Sequence, residues 1–114
     1  MPRHKKYVQA AAEMARHSNI QFQHGCVCVH NGKIIAKGYN HHCVPVVEPI
    51  NETMKRTIHA EIDTCNKVAR NLLSHCSIYV VRVNSKGEIV NSQPCARCKE
   101  ILTRMKVKRV YYSS

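Results

Sequence analysis

The sequence predicts an α/β fold: a three-layer α/β/α domain around a mixed sheet whose first two strands run antiparallel and whose last two run parallel. Three observations carry that prediction. Asn31-Gly32 separates two short runs rich in β-branched and small residues, the strongest short-range hairpin signal. Ser77 to Val83 (SIYVVRV) is almost continuously apolar, as a strand covered on both faces must be. The second half then reads strand, helix, strand, which implies parallel pairing through a right-handed crossover.

The elements follow in order. From Lys5 to His17, Val8, Ala11, Ala12 and Ala15 recur at three- and four-residue steps, the period of one amphipathic helix. Gly25 to His30 and Lys33 to Gly38 are the two hairpin strands. The stretch from Asn40 to Thr57 holds Pro45 and Pro49 and no sustained period. It reads as a long loop with one helical turn, of the kind that tends to be functional. His59 to Leu73 resumes a helical pattern, with Ile62, Cys65, Val68, Ala69, Leu72 and Leu73 on its apolar face and Thr57 as its cap. Ser77 to Val83 belongs at the sheet centre. Asn84-Ser-Lys-Gly is turn chemistry, and Pro94 introduces a helix over about residues 95–105. Val107 to Tyr112 is the last strand, an exposed edge unless another subunit covers it, with Lys106, Lys108 and Arg109 to guard it against aggregation.

The 114 residues, 44% of them hydrophobic, are enough for one domain over residues 1–114 with a modest core. No apolar run approaches the ~18 residues of a membrane span. Met1-Pro-Arg-His-Lys-Lys is not followed by the apolar stretch of a secretory signal. The expectation is a cytoplasmic protein without a membrane partner. There the seven cysteines (26, 28, 43, 65, 76, 95 and 98) stay reduced, and their odd number suits metal binding and buried thiols better than a disulfide framework. Lys and Arg number 18 against 7 Asp and Glu, a formal net charge of +11. Arg97, Lys99, Arg104, Lys106, Lys108 and Arg109 share one stretch, and Arg3, Lys5 and Lys6 crowd the start. Clustered cations gain affinity for nucleotides or nucleic acid by releasing counterions from phosphate. A solvated face serving only solubility is the plainer alternative.

The chemistry concentrates at two helix starts. His59-Ala60-Glu61 opens one predicted helix, and Pro94-Cys95-Ala96-Arg97-Cys98 opens the next. Cysteines three apart on a helix share a face, and the helix N-terminus favours the thiolate that a metal needs. With His59 as a third donor they make a Cys₂His set that leaves a fourth zinc position open, the catalytic rather than the structural pattern. Side chains in a first helical turn lean towards the N-terminus, which brings the Glu61 carboxylate near the open position as a proton shuttle.

H-x-E followed by P-C-x-x-C is a general signature of zinc nucleobase deaminases, and the chain resembles the cytidine and deoxycytidylate deaminase superfamily. The resemblance spans a first helix, a hairpin containing His24-Gly25-Cys26-Val27 and ending Gly38-Tyr39-Asn40, and both metal motifs at helix starts. It implies a Zn²⁺ cofactor, with zinc-activated water attacking the ring carbon that bears the amine. Glu61 would take the water's proton, protonate the ring nitrogen and help ammonia leave. The Ala60 backbone N–H would contact the base, and carbonyls near Gln93 and Pro94 would accept from the departing amine. Asn40 would hold the sugar or orient the base, and Phe22, the only phenylalanine, would lie against the pyrimidine. A turn role for Asn40 and a core role for Phe22 are the alternatives.

The departures from the family are informative too. Nucleoside deaminases of the family often carry a glutamate shortly after the asparagine, where this chain reads Asn40-His41-His42-Cys43. The long 41–58 loop resembles that of deoxycytidylate deaminases, some of which hold a second, structural zinc. His24, Cys26, His41, His42 and Cys43 are the candidates for such a site, with loop and core roles the expected ones. The sequence stops at Ser114, immediately after the predicted fourth strand, whereas many relatives add a fifth strand and terminal helices. A minimal, self-associating homo-oligomer is the expectation. Three functions stay open: deamination of a free cytosine nucleoside or nucleotide, the favoured one; deamination of cytosine or adenine in single-stranded nucleic acid; and a non-catalytic, zinc-stabilised nucleic-acid-binding module.

Overall fold

The computed structural model describes residues 2–20, 22–42, 57–92 and 96–113. Helix α1 (Pro2–Arg16) leads into the hairpin of β1 (Gln23–His30) and β2 (Lys33–Tyr39). Strands β3 (His41–His42) and β4 (Thr57–Ile58) then form a short antiparallel ladder. Helices α2 (Ala60–Cys65) and α3 (Arg70–Leu73) precede β5 (Ser77–Val83), and β6 (Ile89–Val90), α4 (Ala96–Arg104) and β7 (Arg109–Tyr112) complete the order. The main sheet runs β2-β1-β5, all antiparallel. Two strands share the far edge of β5: β6 opposes Arg82 and Val83, antiparallel, while β7 opposes Ser77 to Val80, parallel. The mixed sheet is therefore as predicted, with β5 at its centre.

Alternation along the strands divides the core into two layers of contact, one on each face of the sheet. Val27 and Val29 of β1 and Tyr79, Val81 and Val83 of β5 pack under α1 against Tyr7, Ala11, Ala12 and Ala15. Cys26 and Cys28 of β1 and Ile78 and Val80 of β5 face the other way, against Ala60, Cys65, Leu73, Cys76 and Leu102. Two glycines set how closely the helices approach. A Cβ on Gly25 would run into the Ala11 carbonyl and the Ala15 backbone, and one on Gly38 would run into Asp63 and Thr64. On the α1 face an aromatic group closes the sheet: Tyr79 and Tyr111 stack at 4.7 Å and 13°, and the Tyr79 hydroxyl meets His4 Nδ1 at 2.7 Å.

Several boundaries differ from the sequence expectation, each for a local reason. The single helix over 59–73 is two short ones. Lys67 and Val68 donate to Thr64 and Cys65 in tight three-residue steps, and Ala69 is extended at ψ 136°. Thr64 Oγ1 donates back to the Ala60 carbonyl at 2.9 Å, a bond that bends helices, and Lys67 Nζ is drawn to the Lys37 carbonyl at 2.6 Å. The cap of α2 is not Thr57, which lies in β4; His59 stands at the N-cap, without a capping side-chain bond. The hairpin carries a bulge between Cys28 and Val29, so Ile35 is the extra residue of β2 and is exposed. The last strand begins at Arg109 rather than Val107, because α4 ends on a left-handed Lys106 (φ 58°) whose neighbour Val107 donates back to Leu102. The 43–56 part of the predicted loop, with Cys43, Pro45 and Pro49, lies outside the described residues, as do Gln93, Pro94 and Cys95.

Candidate active site

The two helix starts predicted to meet do so on the sheet face opposite α1. Helix α2 is held on β2 through Asp63, whose carboxylate accepts from the Tyr39 backbone N–H (3.3 Å), His41 Nε2 (3.2 Å) and Lys67 Nζ (3.4 Å). Gly38 permits that close seat. Helix α4 docks through Cys98 and Leu102, four residues apart on its buried face. Ser92 is buried; its Oγ donates to the Val80 carbonyl at 3.1 Å and its N–H donates to the Ser113 carbonyl at 2.9 Å. Ser113 in turn donates to Val80 and Val90 and accepts from the Arg82 N–H, which ties β5, β6 and the end of β7 together.

This docking brings His59 Nδ1 to 2.8 Å from Cys98 Sγ. The pair joins one imidazole and one sulfur donor, the borderline-soft chemistry that zinc prefers. His59, which is exposed, and Cys98 are the described residues that would hold such an ion. Cys95, the third predicted ligand, is outside the described residues, and among those described no group of three or more His, Cys, Asp or Glu is assembled. The donors present fit a zinc site.

Glu61 is the second residue of α2 and only 5% exposed, yet it makes no hydrogen bond to any described residue. Its charge is felt by His24, Cys26 and Cys65. A carboxylate with no hydrogen-bond partner among the described residues is available to a water or a ligand. Ala60, fully buried, is the first helical residue, whose N–H has no intrahelical acceptor.

The predicted substrate contacts are arranged around His24. Asn40 is 8% exposed, and its side chain is engaged with one backbone segment: Oδ1 accepts from the His24 N–H at 2.8 Å and Nδ2 donates to the Phe22 carbonyl at 2.6 Å. Asn40 thus positions the strand entrance on which Phe22 sits. Phe22 is 52% exposed rather than a core aromatic, and one face of its ring is covered by the Arg82 guanidinium, 4.9 Å from the centroid. His24 lies directly opposite Arg82 in the β1–β5 register. Burial lowers the His24 pKa from its ordinary value, against the opposing effects of the Phe22 carbonyl and Glu61. His24 Nδ1 is 3.0 Å from the Phe22 carbonyl, which only accepts, so this nitrogen carries the hydrogen. Of the residues named for a second zinc, Cys26 is buried in the core and its thiol is pushed well up by burial; His41 is bonded to Asp63; Cys43 lies outside the described residues. Arg82 and Asp63 were not singled out by sequence. A cation inside an otherwise apolar strand (SIYVVRV) was the available signal for the first, and the glycine at position 38 the signal for the close helix seat at the second.

Comparison with known proteins bears on the family and the fold. A family model described as "Cytidine and deoxycytidylate deaminase zinc-binding region" matches residues 1–114. The tRNA-specific adenosine deaminase subunit tad2 of Schizosaccharomyces pombe is 29% identical over 111 residues, 96% of this chain, which spans 25% of that protein's length. The dCMP deaminase of cyanophage S-TIM5 in its apo form superposes with a TM-score of 0.65 at 26% identity, over 94% of this chain and 79% of its own. The same enzyme in complex with dCMP and dUMP gives 0.64 at 23%, over 95% and 78%. Guanine deaminase from Bacillus subtilis gives 0.63 at 23%, over 97% and 64%, a likeness of fold.

Proposed function

From the premise that the chain belongs to the cytidine and deoxycytidylate deaminase zinc-binding family, we propose that it is a zinc-dependent hydrolase converting a cytosine nucleoside or nucleotide to its uracil product with release of ammonia. The observation that carries this reading is Glu61, buried and unspent beside the converged His59 and Cys98 donors. His59 and Cys98, with Cys95, would hold the zinc, which when bound supplies the Lewis acidity that makes water nucleophilic near neutral pH. Glu61 takes a proton from the attacking water as oxygen bonds to the ring carbon, passes it to the ring nitrogen, and moves a further proton to the departing amine. Water and cytosine go in; uracil and ammonia leave. The Ala60 N–H orients the base, and the exposed face of Phe22 offers it a stacking surface.

The S-TIM5 enzyme in complex with dCMP and dUMP supports a free nucleotide as substrate. One observation favours a second reading. Arg97, Lys99, Arg104, Lys106, Lys108 and Arg109 are all exposed along α4 and the start of β7, and tad2 is named for tRNA. A base in single-stranded nucleic acid would use that face, and log affinity would then fall with log salt by about 0.7 per phosphate contacted.

The test is Glu61→Gln assayed with cytidine, dCMP, dCTP and oligonucleotides. The variant should keep its zinc by elemental analysis while turnover on a cytosine nucleoside or nucleotide drops at least ~10²-fold. Loss of metal, or retained activity, removes Glu61 from its role. Uracil in oligonucleotides alongside inert cytidine, dCMP and dCTP promotes the second reading.

A further inference from the structure

Arg82 is the one charged residue of the central strand, and its surroundings do not explain it. Its β5 neighbours Val80, Val81 and Val83 are buried core residues. Among the described residues its buried Nε has no hydrogen-bond partner and no carboxylate pairs with it. The guanidinium lies on the Phe22 ring at 4.9 Å, which orients the fork and supplies modest cation–π attraction. An arginine held this way has lost part of its hydration and received no anion in exchange.

Its location is specific. The register His24↔Arg82 continues Cys26↔Val80, so both side chains project on the sheet face that packs against Ala60, the residue before Glu61. His24 senses the charges of Glu61, His59 and Arg82 together, which puts the four in one electrostatic neighbourhood. Burial keeps His24 towards its neutral form, so Arg82 is the fixed positive charge there. Phe22, which the proposed function gives to the base, is thus edged by an unpaired planar cation. A planar, always-charged fork fits the oxygens of a phosphate monoester in bidentate fashion.

We infer that Arg82, oriented by Phe22, is an anion subsite that takes the phosphate of a free pyrimidine mononucleotide, so that the chain selects nucleotides over nucleosides. This rests on the deaminase reading for the identity of the base, but not for the binding of phosphate.

The experiment is calorimetric titration of the zinc-loaded protein with dUMP, with deoxyuridine, and with a short single-stranded oligonucleotide lacking a terminal phosphate. Wild type should prefer dUMP to deoxyuridine, and Arg82→Gln should reduce that preference about 10–100-fold, the scale of a lost charge-assisted contact. Arg82→Lys, which lacks the fork and the ring stacking, should reduce it at least about 5-fold, and it carries the test if glutamine prevents folding. No preference in wild type, or an undiminished preference in the folded variants, overturns the subsite. So does a loss confined to the oligonucleotide, which would make Arg82 a backbone contact. A chain inert towards every cytosine substrate that still shows an Arg82-dependent preference for dUMP would sink the deaminase reading and leave the subsite standing.

Discussion

Asn40 shows how one side chain can serve a site without reaching into it. Its amide closes two bonds to the backbone of residues 22–24, and its own N–H donates to the His24 carbonyl at 3.1 Å, continuing the β1–β2 ladder by one rung. Asn40→Ala leaves the His24 N–H without an acceptor and is expected to cost about 1–3 kcal/mol in urea melts. The KM for substrate should rise with it, because Phe22 loses its tether; an unchanged melt together with an unchanged KM would exclude the clamp. The sequence resemblance pointed to Asn40 but not to this arrangement. Nothing in Gly38-Tyr39-Asn40 reveals that both amide atoms are used on the backbone across the hairpin. The contrast with Asn31-Gly32 is instructive: there φ values of 50° and 75° are dictated by the dipeptide itself, so the turn was legible residue by residue.

Elements were legible where one period met one partner. Helix α1 and strand β5 fall close to their predicted limits because a single packed face, or two, accounts for each residue. The break between α2 and α3 was not legible, since the apolar period runs on through Val68, Ala69 and Leu72 while tertiary anchors at Asp63 and Lys67 stop the first helix. The bulge at Cys28 was hidden in the same way, because an extra residue in a strand leaves no mark on composition. Two substitutions test these junctions in opposite directions. Gly25→Ala puts a methyl against the backbone of Ala11 and Ala15 and should destabilise by about 1–3 kcal/mol. Lys106→Gly relieves a left-handed residue at the end of α4 and should stabilise by about 1 kcal/mol, measured as a raised denaturation midpoint. Equal midpoints for wild type and both variants would mean that neither junction limits stability.

For the whole molecule, the five described cysteines separate into two groups. Cys98 stands with the metal donors, whereas Cys26, Cys28, Cys65 and Cys76 are buried in the core cluster between sheet and α2–α4. Burial pushes the Cys65 thiol up to about 12, and raises Cys26 and Cys28 as well. Below the ordinary value of about 9 these thiols are protonated in both the folded and unfolded states and contribute no pH dependence. Above it the unfolded chain ionises while the fold retains the protons, so stability falls as pH rises, by at most about 1.4 kcal/mol per pH unit for each thiol. Melts between about pH 8 and 10.5 should show that decline, and Cys65→Ala should make it shallower. Rapid labelling of these thiols in the folded protein at pH 8 would contradict the burial. The charge of +11, in contrast, was legible as a quantity, but where it lies required the fold: on α4 it is spread over an exposed helix, and at Arg82 it is sunk in a strand.

The tyrosine stack on the α1 face has an optical consequence. The chain contains five tyrosines and no tryptophan, so its near-ultraviolet signal belongs to phenols. Tyr7 and Tyr111 both crowd Tyr79, at 5.2 and 4.7 Å between ring centroids, close enough for their transitions to couple. The ellipticity of that cluster reports the seating of α1 and β7 on β5, and cobalt placed in the metal site would report the opposite face through its own visible bands. The two halves of the core thus carry separate chromophores, and a denaturation followed at both wavelengths reveals whether they part together or in sequence.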